Sequence, residues 1–106
     1  MQTKRGKRPR LGPVSKYFLE AAKQIPEVQL IILHYGDYPR IWTIIDAPPS
    51  ERVISTKIFE IEFEAYRQGD EAIGFRLINV QDLPHGVAGL HIEGMPVLYQ
   101  RNQQAA

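Results

Sequence analysis

The stretch Val53–Gln68, VISTKIFEIEFEAYRQ, decides the fold of this chain. Ile54, Ile58, Ile61 and Ala65 recur at three- and four-residue steps and make one helical stripe; Phe59, Phe63 and Tyr66 make a second, nearly opposite one. The middle of the stretch, Phe59-Glu60-Ile61-Glu62-Phe63-Glu64-Ala65, also alternates apolar with polar, the signature of a half-buried strand. Length separates the two readings. A strand usually runs about five or six residues. This span is ordinary for a helix, and Ser50 as N-cap with Glu51 in the first turn supplies a start signal. The spacing therefore predicts a helix over 53–68. Were it a strand, the body would be a small, mostly antiparallel sheet.

Outward from this helix, the flanking segments read as strands. On the N-terminal side, Arg40–Asp46 (RIWTIID) and Val28–His34 are near-continuous apolar runs of the kind buried on both faces. Gly36-Asp37-Tyr38-Pro39 between them supplies turn residues, so the two pair as a hairpin. Before them, Tyr17, Phe18, Ala21, Ala22 and Ile25 give Val14–Gln24 a helical period that Pro26 ends, and Pro13 stands at its start. On the C-terminal side Gly74–Val80 (GFRLINV) is a third strand, followed by a loop over Gln81–Gly89. Leu90–Ile92 and Pro96–Gln100 read as two short strands, with Pro96 marking an edge. The order α-β-β-α-β(-β) predicts an α+β domain over 14–101, a single small mixed sheet with helices on one face. Residues 102–106 read as a frayed tail.

The charge is unevenly placed. Residues 1–13, MQTKRGKRPRLGP, carry Lys4, Arg5, Lys7, Arg8 and Arg10 and no acid; eight basic and twelve acidic residues remain, so a formal net charge of +1 divides into a +5 arm and a −4 body. Such a block reads as a disordered arm able to neutralise phosphates without reading bases. Only Tyr17 lies near it, which gives no support for base stacking. Cysteine is absent, which excludes disulfides and thiolate chemistry. The longest strongly apolar run, Leu30–Leu33, is far short of the roughly 20 residues that span a bilayer, and the basic N-terminus lacks an apolar signal region. These features predict a soluble, cytoplasmic protein without membrane partners.

Little in the sequence points to catalysis. His34, His85 and His91 form neither an i, i+4 helical pair nor an HExxH motif, and no metal or cofactor is expected. None of Ser15, Ser50 and Ser55 lies in a nucleophile elbow, and no glycine-rich phosphate cradle is present. Glu60 and Glu64 share a helix face and read as solvated partners of Lys57 and Arg67. Tyr35, Asp37, Tyr38, Arg40 and Trp42 cluster about the hairpin turn, a mixture of aromatic and Arg enriched in protein interfaces.

In order, the helix, PEVQLIILHYGD, IWTIID, the second helix, FRLINVQDLP and IEGMPVLYQR resemble a minimal nucleotidyltransferase domain over roughly residues 14–101. Glu93-Gly94-Met95-Pro96-Val97-Leu98-Tyr99-Gln100-Arg101 is similar to that family's EGxxLYxR tail. The family's catalytic parts are missing: His34-Tyr35-Gly36-Asp37 stands where it has a Gly-Ser loop, Asp46 stands alone where it has paired aspartates, and Phe75–Val80 lacks the third carboxylate. The resemblance thus implies an inactive relative kept for binding.

The leading expectation is a non-catalytic binding or accessory module that recruits a protein partner or a second copy of itself, with the arm adding polyanion contact. A nucleic-acid-binding protein using the arm as principal site is the alternative. An enzyme with an unfamiliar site near His34, Asp37, Arg40 and Asp46 ranks third.

Overall fold

The computed structural model describes residues 10–49 and 52–101. Helix α1 (Pro13–Ala22) opens on a proline, tolerated at the first helical position because its missing N–H has no intrahelical partner there. Strands β1 (Val28–Tyr35) and β2 (Pro39–Ile45) form the expected antiparallel hairpin, with Leu33 opposite Ile41 and His34 opposite Arg40. Helix α2 (Val53–Tyr66) carries the chain over the sheet to β3 (Gly74–Asn79), which runs parallel to β2. Strand β4 (Val97–Gln100) pairs antiparallel with β1, so the mixed sheet has the order β3-β2-β1-β4. The architecture is α+β, as the order of sequence elements predicts.

The helical reading of the deciding stretch holds because one of its stripes has a core to enter. Ile58 and Ala65 are fully buried and Ile54 nearly so, while Phe59 and Phe63 of the second stripe stay exposed. The start signal Ser50–Glu51 lies outside the described residues; Arg52 occupies the cap position without a side-chain cap. The first core joins Val14, Phe18 and Ala22 of α1 and Ile54, Ile58 and Ala65 of α2 to Val28, Ile31, Leu33, Ile41 and Ile45 of the hairpin. Both helices therefore cover the same sheet face.

The opposite face needs a cover of its own. Ile32 and Ile44 are fully buried and Ile78 is nearly so, yet none belongs to the helix-side core. Strand β4 is parallel to β3 but two strands beyond β2, so residues 80–96 must cross the sheet. The crossover β2-α2-β3 moves one way over the helical face. A return in the other direction is right-handed, like the first, only if it passes over the opposite face. Leu83, Leu90, Ile92 and Met95 of this segment are half-buried, consistent with that path. The expected strand at Leu90–Ile92 is not formed: short 3₁₀ turns at Val80–Asp82 and Gly86–Gly89 precede it, and it pairs with no strand among the described residues. A crossing segment lies over the sheet face, away from any edge that could supply ladder bonds.

The Arg of the EGxxLYxR-like tail has a structural task. Arg101 donates from Nε to the Val28 carbonyl and from Nη2 to the Ile25 carbonyl, both at 2.9 Å, and ties the end of β4 to the start of β1.

Candidate binding surface

Strand alternation puts His34, Arg40, Trp42 and Arg76 on the sheet face away from the helices, at the hairpin end. Register sets their neighbours. His34 faces Arg40 across the hairpin, and Trp42 lies between Ile32 on β1 and Arg76 on β3. The His34 and Trp42 rings stack at 4.1 Å and 7°, and the Arg76 guanidinium lies 5.3 Å from the Trp42 centroid. Arg40 sits over the Tyr38 ring at 4.5 Å. That ring in turn lies against Gly74, where an added Cβ would come within 3.2 Å of it, so the glycine admits the tyrosine. Neither Arg40 nor Arg76 has a carboxylate within ion-pair distance among the described residues.

The five residues singled out at the turn thus divide between two environments. Tyr35 and Tyr38 are exposed, and Asp37 projects from the turn. Arg40 bridges outward to Tyr38, whereas Trp42 is half-buried with its Nε1 atom shielded and unpaired. Of the cationic arm, Arg10 is exposed, while Lys4, Arg5, Lys7 and Arg8 lie outside the described residues. Asp46 is not gathered with His34 and Asp37. It follows β2 at the far end, about 20 Å from Arg40 at roughly 3.3 Å per strand residue, and accepts a bond of 2.7 Å from Gln81 Nε2. Among the described residues no group of three or more His, Asp or Glu converges on a metal-sized site.

Asn79 at the end of β3 ties that strand to the chain leaving β2. Its Oδ1 accepts from the Ala47 amide at 3.2 Å and its Nδ2 donates to the Ala47 carbonyl at 2.9 Å. An aspartate could make the first bond but not the second.

The second stripe of α2 forms a further exposed feature. Phe59 and Phe63 stand 53% and 76% exposed on α2, followed one turn on by Tyr66. Tyr66 donates its hydroxyl to the Ile73 carbonyl at 2.8 Å, beside the Gly74 that Tyr38 covers. Its own proton is held more tightly than usual, first by burial and then by the charges of Glu62 and Tyr38. The aromatic surface of α2 therefore adjoins that of the hairpin turn. Glu62 shares this helix flank with Phe59 and Tyr66, and desolvation pushes its pKa up to about 7.

That shift has a sign that can be measured. Between the ordinary value of 4.5 and about 7, the unfolded state ionises Glu62 while the folded state retains its proton, so stability falls as pH rises through this window. Glu62→Gln is expected to abolish this loss, on the order of 1 kcal/mol after discounting for the partly solvated site. Thermal melts at pH 4.5 and 7.5 check it: the variant's advantage should appear only at the higher pH.

Comparison of the chain with protein-family models, with curated proteins and with solved structures finds no match.

Proposed function

We propose that the protein is a non-catalytic binding module that recruits a protein partner through the hairpin end of its sheet, with the basic arm adding polyanion contact. The observation that carries this reading is the exposed aromatic surface of Tyr35 and Tyr38 beside the half-buried Arg40, continued on α2 by Tyr66, Phe63 and Phe59. Aromatic and Arg side chains dominate the centres of protein interfaces, and exposed apolar clusters of this kind mark docking sites. The resemblance to a nucleotidyltransferase domain supports the non-catalytic part. Asp46 is engaged by Gln81 and Asn79 by Ala47, so the strand ends that would hold metal-bound nucleotide are otherwise occupied.

A second reading, nucleic-acid binding by the domain itself, is favoured by the placement of Arg40 and Arg76 on one face beside Trp42. A salt titration of duplex DNA binding separates the two. On the first reading any binding is weak, indifferent to sequence and carried by the arm, with a log–log slope near −4 to −5 on duplex and about −3.5 on single strands. Changing Lys4, Arg5, Lys7, Arg8 and Arg10 to Ala then removes it. Binding that survives in this variant moves the site onto the domain and favours the second reading. Metal-dependent nucleotide transfer that is lost in Asp46→Asn would overturn the non-catalytic assignment.

A further inference from the structure

The sheet face under residues 80–96 holds a combination that folding alone does not explain. His34 Nδ1 and Trp42 Nε1 are both shielded from solvent, and neither has a hydrogen-bond partner. The indole N–H is a donor only, and leaving it unpaired is unfavourable. Arg76 lies over the Trp42 ring, and Arg40, opposite His34 across the hairpin, lies over Tyr38; neither guanidinium has a carboxylate partner among the described residues. Next to them on the same face lies a fully apolar floor of Ile32, Ile44 and Ile78. Asp46, the one acid that strand alternation places on this face, is at the opposite end and is engaged by Gln81.

The covering segment is tied down at its ends only. Gln81 bonds Asp46, and the Leu33 amide donates to the Pro96 carbonyl at 2.9 Å. Between these anchors the backbone bonds of the segment, among the described residues, are local: Leu83 to Val80, Gly86 to Leu83, Leu90 to Val87 and Met95 to Ile92. Gly86 and Gly94, at φ +57° and +85°, occupy the left-handed backbone region that glycine adopts without strain. Few long-range bonds and half-buried side chains describe a segment drawn from the low-stability end of a structure.

We propose that this face is a binding site for a small organic anion with an apolar body. The charged head lies between Arg40 and Arg76 and accepts the Trp42 indole N–H. The body rests on Ile32, Ile44 and Ile78, and residues 82–95 lift to admit it. The site is separate from protein docking, although Arg40 serves both; loss of small-anion binding and loss of partner capture are read in different assays.

The test uses the full chain and 8-anilinonaphthalene-1-sulfonate, with Trp42, the single tryptophan, as internal reporter. Saturable binding is expected, with quenching of Trp42 emission. N-phenyl-1-naphthylamine, which keeps the body and lacks the sulfonate, is expected to bind at least tenfold more weakly, and inorganic sulfate alone not to compete at millimolar concentration. Arg40→Gln/Arg76→Gln, checked for an unchanged melting temperature, should weaken the sulfonate at least tenfold, whereas replacing the five arm cations should not. Amides 83–95 should exchange faster than those of β1 and β2, and slow when the probe is bound. Binding that is equal in the Arg double variant, lost in the arm variant or absent from the full chain would overturn the proposal. So would exchange in 83–95 as slow as in the hairpin.

Discussion

Phe18→Ala is expected to cost about 3–5 kcal/mol, the usual range for truncating a buried phenylalanine. Phe18 is fully buried on α1, and its ring meets Phe75 of β3 at 4.6 Å; Phe75 meets Tyr66 of α2 edge-on at 5.2 Å. Three elements that are distant in sequence thus share one aromatic chain. Removing its first member leaves a cavity and also forfeits the ring pair, worth about 0.5–1.5 kcal/mol beyond area burial. Total stability of a domain is about 5–15 kcal/mol, so the loss is a large fraction. At roughly 4–8 °C per kcal/mol for a domain of this size, the melting temperature should fall by about 12–40 °C. Phe63→Ala is the control. Its ring is 76% exposed, and truncation should change stability by no more than about 0.5 kcal/mol. A reversal of this order would mean that the other stripe of α2 faces the core.

Glu71→Ala is expected to cost about 2–4 kcal/mol. Gly12 at the N-cap of α1 has no side chain to cap the helix, and Glu71 supplies the cap from 59 residues beyond Gly12 and 56 beyond Ser15. Its carboxylate accepts from the Ser15 amide at 2.8 Å, the Ser15 hydroxyl at 2.6 Å and the Gly12 amide at 3.1 Å. Ser15 is fully buried, so the substitution strands its hydroxyl as well as the helix-end amides. The site also requires Gly12, because a Cβ there would fall 2.6 Å from the Glu71 carboxyl carbon. Burial alone would raise the Glu71 pKa, but the bonds from Ser15, Gly12 and Val14 outweigh it and hold the carboxyl below its ordinary value of 4.5. Its contribution is therefore complete above 4.5 and is lost as pH falls through the lower folded value. Urea titrations should show the wild-type advantage over Glu71→Ala shrinking in acid. This is opposite in sign to the effect at Glu62, where stability declines as pH rises.

The parts of the fold that local patterning determines are visible in the sequence. Hydrophobic period and length identify α1, both hairpin strands, α2 and β3, and the turn chemistry of Gly36–Pro39 joins the hairpin. What escapes is non-local. Glu71 reads as part of a polar turn, because nothing nearby in the sequence announces a cap across 56 residues. Leu90–Ile92 reads as a strand because a short apolar run has the same appearance whether it pairs at an edge or crosses a sheet face. The candidate surface divides the same way. Tyr35, Tyr38, Arg40 and Trp42 are recognisable from composition, but the partnership of Trp42 with His34 and Arg76 depends on register across three strands. Phe59 and Phe63 are legible as part of a second stripe of α2, yet only the packed helices show that these two rings stay exposed while Tyr66 of the same stripe turns to Phe75.

The most direct measurement compares capture by the full chain with capture by Tyr35→Ser/Tyr38→Ser/Arg40→Ser, using lysate of cells that naturally make the protein. Tyr35 and Tyr38 are exposed, and Arg40 is half-buried with no ion pair among the described residues, so the triple variant should keep its melting temperature within a few degrees. A protein should be retained by the wild type and by the variant lacking the five arm cations, and lost from the hairpin variant. Retention of the same protein by the hairpin variant, or retention by the wild type of nucleic acid alone, would contradict this.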